Sequence, residues 1–536
     1  MRKNLWLQVA AVGALALCLA TGCGSLPRCP ESKARRETTR IDLKTNEPLN
    51  VIELDADGTM YDLRPTHAHS QLPGSGGVTN YLADTIWKGF RDSGKTNLLI
   101  FVHGGMNSRD VGLKHYLDDF KQIDGYYPVF VVWPSGPWST YVEHLLWVRQ
   151  GIKMETKKEK AFSLLTSPLM LVADLGRAVT RLPMVIANNT RSDFETITPI
   201  RKQDRATMVN DYRKLATNNY HVHIGDDYSR TQDRLIRDVS YWATLPVKYV
   251  VSSLLDGLGK GAWDDMLRRT ETAYPGRMEE WLTNRVAEMQ AQQSANLAPQ
   301  DDTNKPGPPS KKKKNRLKRY EAAGLPALFA MLPKIRTTNG TIPQITLVGH
   351  SMGAIILNRV VRDTKMEFTN IVYMGAACSI EDFSTSVLPY MREHTNSQFY
   401  SLSLHPVAEA GEVCWMAADL VPRGSLLIWL DNFLMNPVTE QERTFGRWRN
   451  LFRTSATGEP VIKRFFDNQD SESLKQRLHF RAFSVGAGDK DQMRPMKYQW
   501  NDHPTAKTRC ERCDTPLAHG DFTEMPYWSK DFWWKE

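Results

Sequence analysis

The most constraining stretch of the chain is residues 344–357, QITLVGHSMGAIIL. Ile345 to Val348 is a short apolar run rich in β-branched residues, the pattern of a strand buried on both faces of a parallel sheet. Gly349-His350-Ser351-Met352-Gly353 follows at once and fits G-x-S-x-G. Ile355, Ile356 and Val360 then fall on the apolar side of an amphipathic helix. A strand, a sharp turn and a helix therefore meet at one serine. Such a turn projects the serine Oγ above the sheet edge, and its two glycines let other backbone pass close by. The Met352 N–H sits at the helix start, where unpaired donors and the positive dipole end favour an oxyanion. Ser351 is thus a candidate nucleophile and Met352 a candidate oxyanion donor.

Two earlier runs have the same buried-strand character. Residues 97–102 (NLLIFV) lead into His103-Gly104-Gly105-Met106, and residues 127–132 (YPVFVV) into Trp133-Pro134-Ser135-Gly136. Two such units in succession imply right-handed crossovers and a parallel sheet. After the serine, residues 370–377, 397–404 and 478–485 read as further strands.

With the His-Gly turn after an early strand and G-x-S-x-G between strand and helix, the chain resembles the α/β-hydrolase superfamily. The resemblance covers about residues 81–150 and 320–536. It implies an α/β fold of the α/β-hydrolase type, a mostly parallel sheet flanked by helices. It also implies a second oxyanion donor in the His-Gly turn, with Gly105 the first choice and Met106 the alternative. His103 precedes the nucleophile, so it reads as a structural turn residue.

The family orders its triad nucleophile, acid, histidine. Beyond the last expected strand stand His503 and His519, and His519 lies in Pro516-Leu517-Ala518-His519-Gly520-Asp521-Phe522, a His-Gly loop ahead of aromatic residues. The resemblance therefore assigns the base to His519. The acid follows the penultimate strand, where Glu409 fits first; Glu412, Asp419, Glu381 and Asp382 remain open. The activity implied is that of a serine hydrolase cleaving carboxylic esters through an acyl-enzyme, on a small-molecule or lipid ester. No metal or organic cofactor is implied. Amide hydrolysis and acyl transfer use the same constellation, and a non-catalytic envelope scaffold on the same fold is the reading from another class.

The remaining organisation is read from composition. Arg2, Lys3 and the apolar residues 5–19 form a signal segment ending Leu19-Ala20-Thr21-Gly22-Cys23. Small residues before a cysteine resemble a bacterial lipobox, which implies residues 1–22 removed, Cys23 acylated, and an envelope protein lipid-anchored to the membrane, the outer one favoured. Residues 23–80 read as a tether and a β-hairpin turning at Asp57-Gly58. Residues 72–78 are rich in Gly, Pro and Ser and read as loop. Residues 81–150 form the first part of the core. Residues 151–289 show helical patterns and no convincing strand, an insertion in the usual place of a cap or lid. Residues 161–186 are apolar, but Asp174, Arg177, Arg181 and two prolines argue against a membrane span. Residues 290–319 are low in complexity and end in a lysine run, so a disordered linker is expected. Residues 320–536 complete the core.

The net charge of +9 is concentrated partly in that run, with no nucleic-acid motif around it. His221-Val222-His223 has no acidic ligand cluster at a fitting helical spacing and is not read as a metal pair. Cys510 and Cys513 fit a local disulfide or free thiols, and no protein partner is legible. Cys23→Ser is expected to abolish incorporation of radiolabelled palmitate and leave the protein unprocessed or soluble, measured by fractionation of cells expressing the variant.

Overall fold

The computed structural model describes residues 50–64, 70–105, 123–149, 152–153, 157–197, 221–224, 234–275, 324–404, 409, 412, 421–422, 424–452, 461–465, 472–483, 516 and 518–534. In chain order the elements are β1 (Val51–Glu53), β2 (Tyr61–Asp62), β3 (Ser70–Gln71) and α1 (Gly74–Tyr81). Helix α1 runs on through a π-helical segment, Leu82–Trp87, and Lys88–Asp92. Then come β4 (Asn97–Val102), β5 (Tyr127–Val132), α2 (Pro137–Leu146), the short pair β6 (Val148–Arg149) and β7 (Ile152–Lys153), α3 (Lys157–Thr180) and α4 (Leu182–Ile197). They are followed by β8 (His221–Ile224), α5 (Arg234–Ala273), α6 (Gly324–Met331), β9 (Gln344–His350), α7 (Gly353–Asp363) and β10 (Asn370–Met374). The last major elements are α8 (Ile380–Glu393), β11 (Gln398–Leu404) and β12 (Leu478–Phe483).

Eight strands form one sheet in the order β1-β5-β4-β9-β10-β11-β12-β8. Every neighbouring pair in it is parallel. The continuous apolar runs are explained by burial of both faces. Alternate residues of each strand enter different cores: Leu98, Ile100 and Val102 of β4 join Ile345 and Leu347 of β9 in one. Leu99 and Phe101 join Val348 in the other. The first core is closed by α1, α5, α7 and α8 through residues such as Trp87, Trp263, Ile356 and Phe383. The second is closed among the described residues by the segment after residue 518. Tyr527 stacks on Phe101 at 4.6 Å between ring centres, and Trp533 lies against Tyr400. The aromatic end of the chain is thus spent on packing.

Several local expectations shift. The turn at Asp57-Gly58 is present, with Gly58 at φ +82° and Leu54 bridged to Met60. The arm before it, however, leaves the hairpin and becomes β1, pairing in parallel with β5. Residues 74–78 are helical despite three glycines, because Val78, Tyr81 and Leu82 bury a face against the core. The 151–289 region contains a strand after all. His221–Ile224 adds to the sheet edge beside β12, where backbone pairing with an existing strand substitutes for a strong β pattern. Helix α5 contributes Val251, Leu255, Trp263 and Met266 to the same core as α1 and α7. The signal segment over 1–22 and the linker over 290–319 fall outside the described residues.

The tightest crossing in the sheet lies at Gly353. A Cβ built there would meet Val102 O at 2.1 Å and His103 O at 3.0 Å. Both are backbone atoms of the neighbouring strand and cannot swing aside. Gly353→Ala should therefore lower stability by about 2 kcal/mol or more, the scale of forced overpacking, read as a shifted urea midpoint with unchanged slope.

Candidate active site

The chain order explains where a site forms. From β4 the chain moves to β5 on one side, and from β9 it moves to β10 on the other. The carboxyl ends of β4 and β9 therefore flank the point where the sheet changes winding direction, the place where open α/β sheets bind ligands. The two loops leaving these ends are those carrying Gly105 and Ser351.

Ser351 adopts φ +52°, in the left-handed region that L-residues avoid. The neighbours hold it there. Its N–H donates to Met374 O at 2.9 Å, and its carbonyl accepts from Ala377 N–H at 3.0 Å and Ala354 N–H at 3.2 Å. A Cβ at Gly349 would fall 3.0 Å from Ala354 N, so the first glycine of the motif admits the returning helix as the second admits β4. The serine is 1% exposed, and its Oγ has no hydrogen-bond partner. An unsatisfied buried hydroxyl calls for an explanation, and a reacting group awaiting a partner supplies one.

Gly105 and Met352 lie side by side: a Cβ at Gly105 would meet the Met352 Cγ at 3.0 Å. A Cβ at the adjoining Gly104 would meet Ser351 Cβ at 2.7 Å and His350 Nδ1 at 2.8 Å. The two expected donor residues are thus brought together beside the serine, while Met106 lies outside the described residues. His103 is structural, as anticipated. Its Nε2 accepts from Trp133 N–H at 3.0 Å, so Nδ1 carries the proton and donates to Gly104 O at 2.6 Å.

His519 opens a short 3-10 turn, His519–Glu524, after the whole sheet has been laid down. It reaches the serine's neighbourhood through Gly375. That glycine has φ +51°, and a Cβ there would sit 2.8 Å from His519 Nδ1 and Cε1. The loop carrying His519 is fixed from two sides. Its N–H donates to Glu412 Oε2 at 3.0 Å, and its carbonyl accepts from His350 Nε2 at 3.1 Å. The His350 and His519 rings lie 5.1 Å apart. His519 is 6% exposed, its Nε2 is buried with no hydrogen-bond partner, and burial lowers its pKa from 6.5 to about 4. It is a neutral imidazole at neutral pH, able to accept a proton.

Glu409 does not stand where the acid was expected. Its carboxylate accepts from Ser425 Oγ at 2.9 Å and Arg447 Nε at 3.2 Å, and it makes no hydrogen bond to His519. Burial raises its pKa, with Arg447 opposing. Arg447 also pairs with Asp431 at 2.6 Å, so Glu409 belongs to a buried ionic network that ties α8's neighbours together. The carboxylate on the His519 loop is that of Glu412, reached through the backbone N–H. Spacing after a strand does not reveal which carboxylate an arginine will claim, and neither Glu409 nor Glu412 is hydrogen-bonded to the His519 ring. Asp382 gives its backbone N–H to Ser379 Oγ, the cap of α8, and its carboxylate accepts from Asn358 and Arg362 of α7. Glu381 gives its N–H to Gln441 O. Asp419, His503, Cys23, Cys510 and Cys513 lie outside the described residues.

Gly375 and His350 were not singled out from sequence. Gly375 directly follows a strand, which is the available signal; His350 lies inside the serine motif, where no separate signal marks it. Among the described residues no cluster of His, Cys, Asp or Glu could hold a metal ion.

None of the known proteins compared with the chain matches it: no family model, no curated protein and no solved structure.

The buried imidazole has a consequence for stability. Its folded pKa lies below its unfolded one, so between about pH 6.5 and 4 the unfolded chain binds more protons. The stabilisation is complete above pH 6.5 and lost as pH falls toward 4. Wild type should lose on the order of 2–3 kcal/mol more than His519→Gln over that interval, measured by urea unfolding at pH 7 and pH 4.

Proposed function

We propose that the protein is a lipid-anchored serine hydrolase of the α/β-hydrolase type, acting on carboxylic esters. The observation that carries the reading is the presence of two unpartnered groups in one neighbourhood. A serine is held at positive φ between a strand and a helix with its Oγ unpartnered, and a neutral histidine packs on Gly375 and His350 with its Nε2 unpartnered, the two not hydrogen-bonded to each other. In this reading Ser351 Oγ attacks the ester carbonyl while His519 Nε2 takes its proton. The negative charge that forms on the carbonyl oxygen is met by the N–H groups of Met352 and Gly105. The imidazolium then protonates the leaving alcohol, and water, deprotonated by the same histidine, frees the acid from Ser351.

Glu412 is the carboxylate best situated to steady the imidazolium, since it already holds the His519 backbone. The charged Glu409 is consumed by Arg447. The inserted helices enter this reading as a layer of the fold rather than a moving lid, because α5 is built into the core beside α1 and α7. Membrane attachment through Cys23 rests on the lipobox alone.

The test is a fluorophosphonate probe on the purified protein, read by peptide mass spectrometry, with p-nitrophenyl butyrate turnover alongside. Labelling is expected on Ser351. His519→Ala should reduce turnover by roughly 10³-fold or more with little change in melting temperature. Glu412→Gln should lower turnover, and Glu409→Gln should cost stability with turnover largely kept. Folded protein that neither labels nor turns over ester would instead be the non-catalytic scaffold.

A further inference from the structure

Helix α3 is the most conspicuous surface of the molecule. It spans 24 residues, roughly 36 Å at 1.5 Å per residue. By length and composition it could cross a membrane. Its inner side shows that it does not. Ser163 and Ser167 donate their hydroxyls to the carbonyls of Leu146 and Leu145 at the end of α2. Asp174 faces Tyr141 and His144 of α2. Arg177 pairs with Asp256 of α5, which Arg181, just beyond α3, also engages. Ala178 packs where a Cβ on Gly257 would fall. Every charged residue from 161 to 181 is thus engaged with another element of the fold.

The outer side is the reverse. Phe162, Leu165, Leu169, Val172 and Val179 are 61–79% exposed. These positions follow the 3-4 spacing of one helix stripe. Leu164, Leu171 and Leu175 are exposed beside them and widen it. A seam built for a second helix is narrow and flanked by charged positions that set partner choice. Here the flanks are leucine as well. Soluble surfaces rarely leave so continuous an apolar face uncovered. At one end of the helix stand Lys157, Lys158 and Lys160, all exposed, with no lysine or arginine between them and Arg177.

We propose that the outer face of α3 lies in the interfacial plane of a lipid bilayer, with its leucines, valines and Phe162 among the acyl chains. The three lysines at its start meet anionic headgroups. The width of the apolar face and the charge at one end fit an interfacial helix. The engaged inner charges hold the helix parallel to the membrane rather than across it. The inference stands on the surface of α3 and is independent of both catalysis at Ser351 and acylation of Cys23. The mass of the purified protein reads the latter separately.

The test places the photoreactive residue p-benzoylphenylalanine at Leu165, Leu169 or Val172 of the full chain. Each variant is mixed with phosphatidylethanolamine–phosphatidylglycerol vesicles and irradiated. Val438, which is 91% exposed and far from α3 in sequence, is the control position. Phospholipid adducts are expected at the three helix positions and not at Val438. Replacing Lys157, Lys158 and Lys160 by Glu should lower adduct yield severalfold. Because all these side chains are exposed, the substitutions leave the core intact, and unchanged circular dichroism verifies it. Crosslinks to a second copy of the chain, or adducts no more frequent than at Val438, would overturn the proposal.

Discussion

The structure depends on one close approach of backbone to backbone. Where β9 ends, Gly353 passes so near the carbonyls of Val102 and His103 that no side chain fits between them. That contact locks the exits of β4 and β9 together at the centre of the sheet. It also explains the conformation of Ser351. A residue at φ +52° costs about 1–2 kcal/mol relative to the ordinary regions, and only a rigid surrounding maintains it. The parallel ladders, two cores and returning helix α7 supply that surrounding.

Around this crossing the polar groups divide into two kinds. One kind is fully committed: Glu409, Arg447, Asp431 and Asn450 satisfy one another in the interior, as do Asp382, Arg362 and Asn358 between α7 and α8. The other kind, Ser351 Oγ and His519 Nε2, is buried and uncommitted. Burying polar groups without partners is costly, and other atoms such as Ser253 Oγ and Ser403 Oγ are also unpartnered; Ser351 and His519 differ in lying near the carboxyl ends of the central strands, around Gly375.

Much of the central sheet was legible in the sequence. Continuous apolar runs such as NLLIFV and YPVFVV signal strands buried on both faces, and the G-x-S-x-G turn announces its own geometry through its glycines. The edges were not legible. Strand β1 was read as half of a hairpin, and β8 was missed. Both sit at the margins of the sheet and owe their conformation to one neighbouring strand more than to their own pattern. The site divided similarly. The gathering of Ser351, Met352, Gly105 and His519 in one neighbourhood follows residues that each carry a local signature. That Arg447 engages Glu409 while Glu412 holds the His519 backbone was not legible, since the arginine lies some forty residues away. Asp174 and Arg177 of α3 argued against a span from sequence, but only the packing shows that both face other elements while Phe162, Leu165, Leu169 and Val172 stay exposed.

The position of His519 in the chain has its own consequence. The serine turn belongs to the middle of the sheet, whereas His519 rides on a segment that docks against β10, β11 and β12. Tyr527 and Trp533 bind that segment to the face of a sheet already assembled. A partly folded chain can therefore carry a well-formed serine turn with no imidazole near it. The approach of His519 to that turn is a property of the completed assembly, arriving with its last layer.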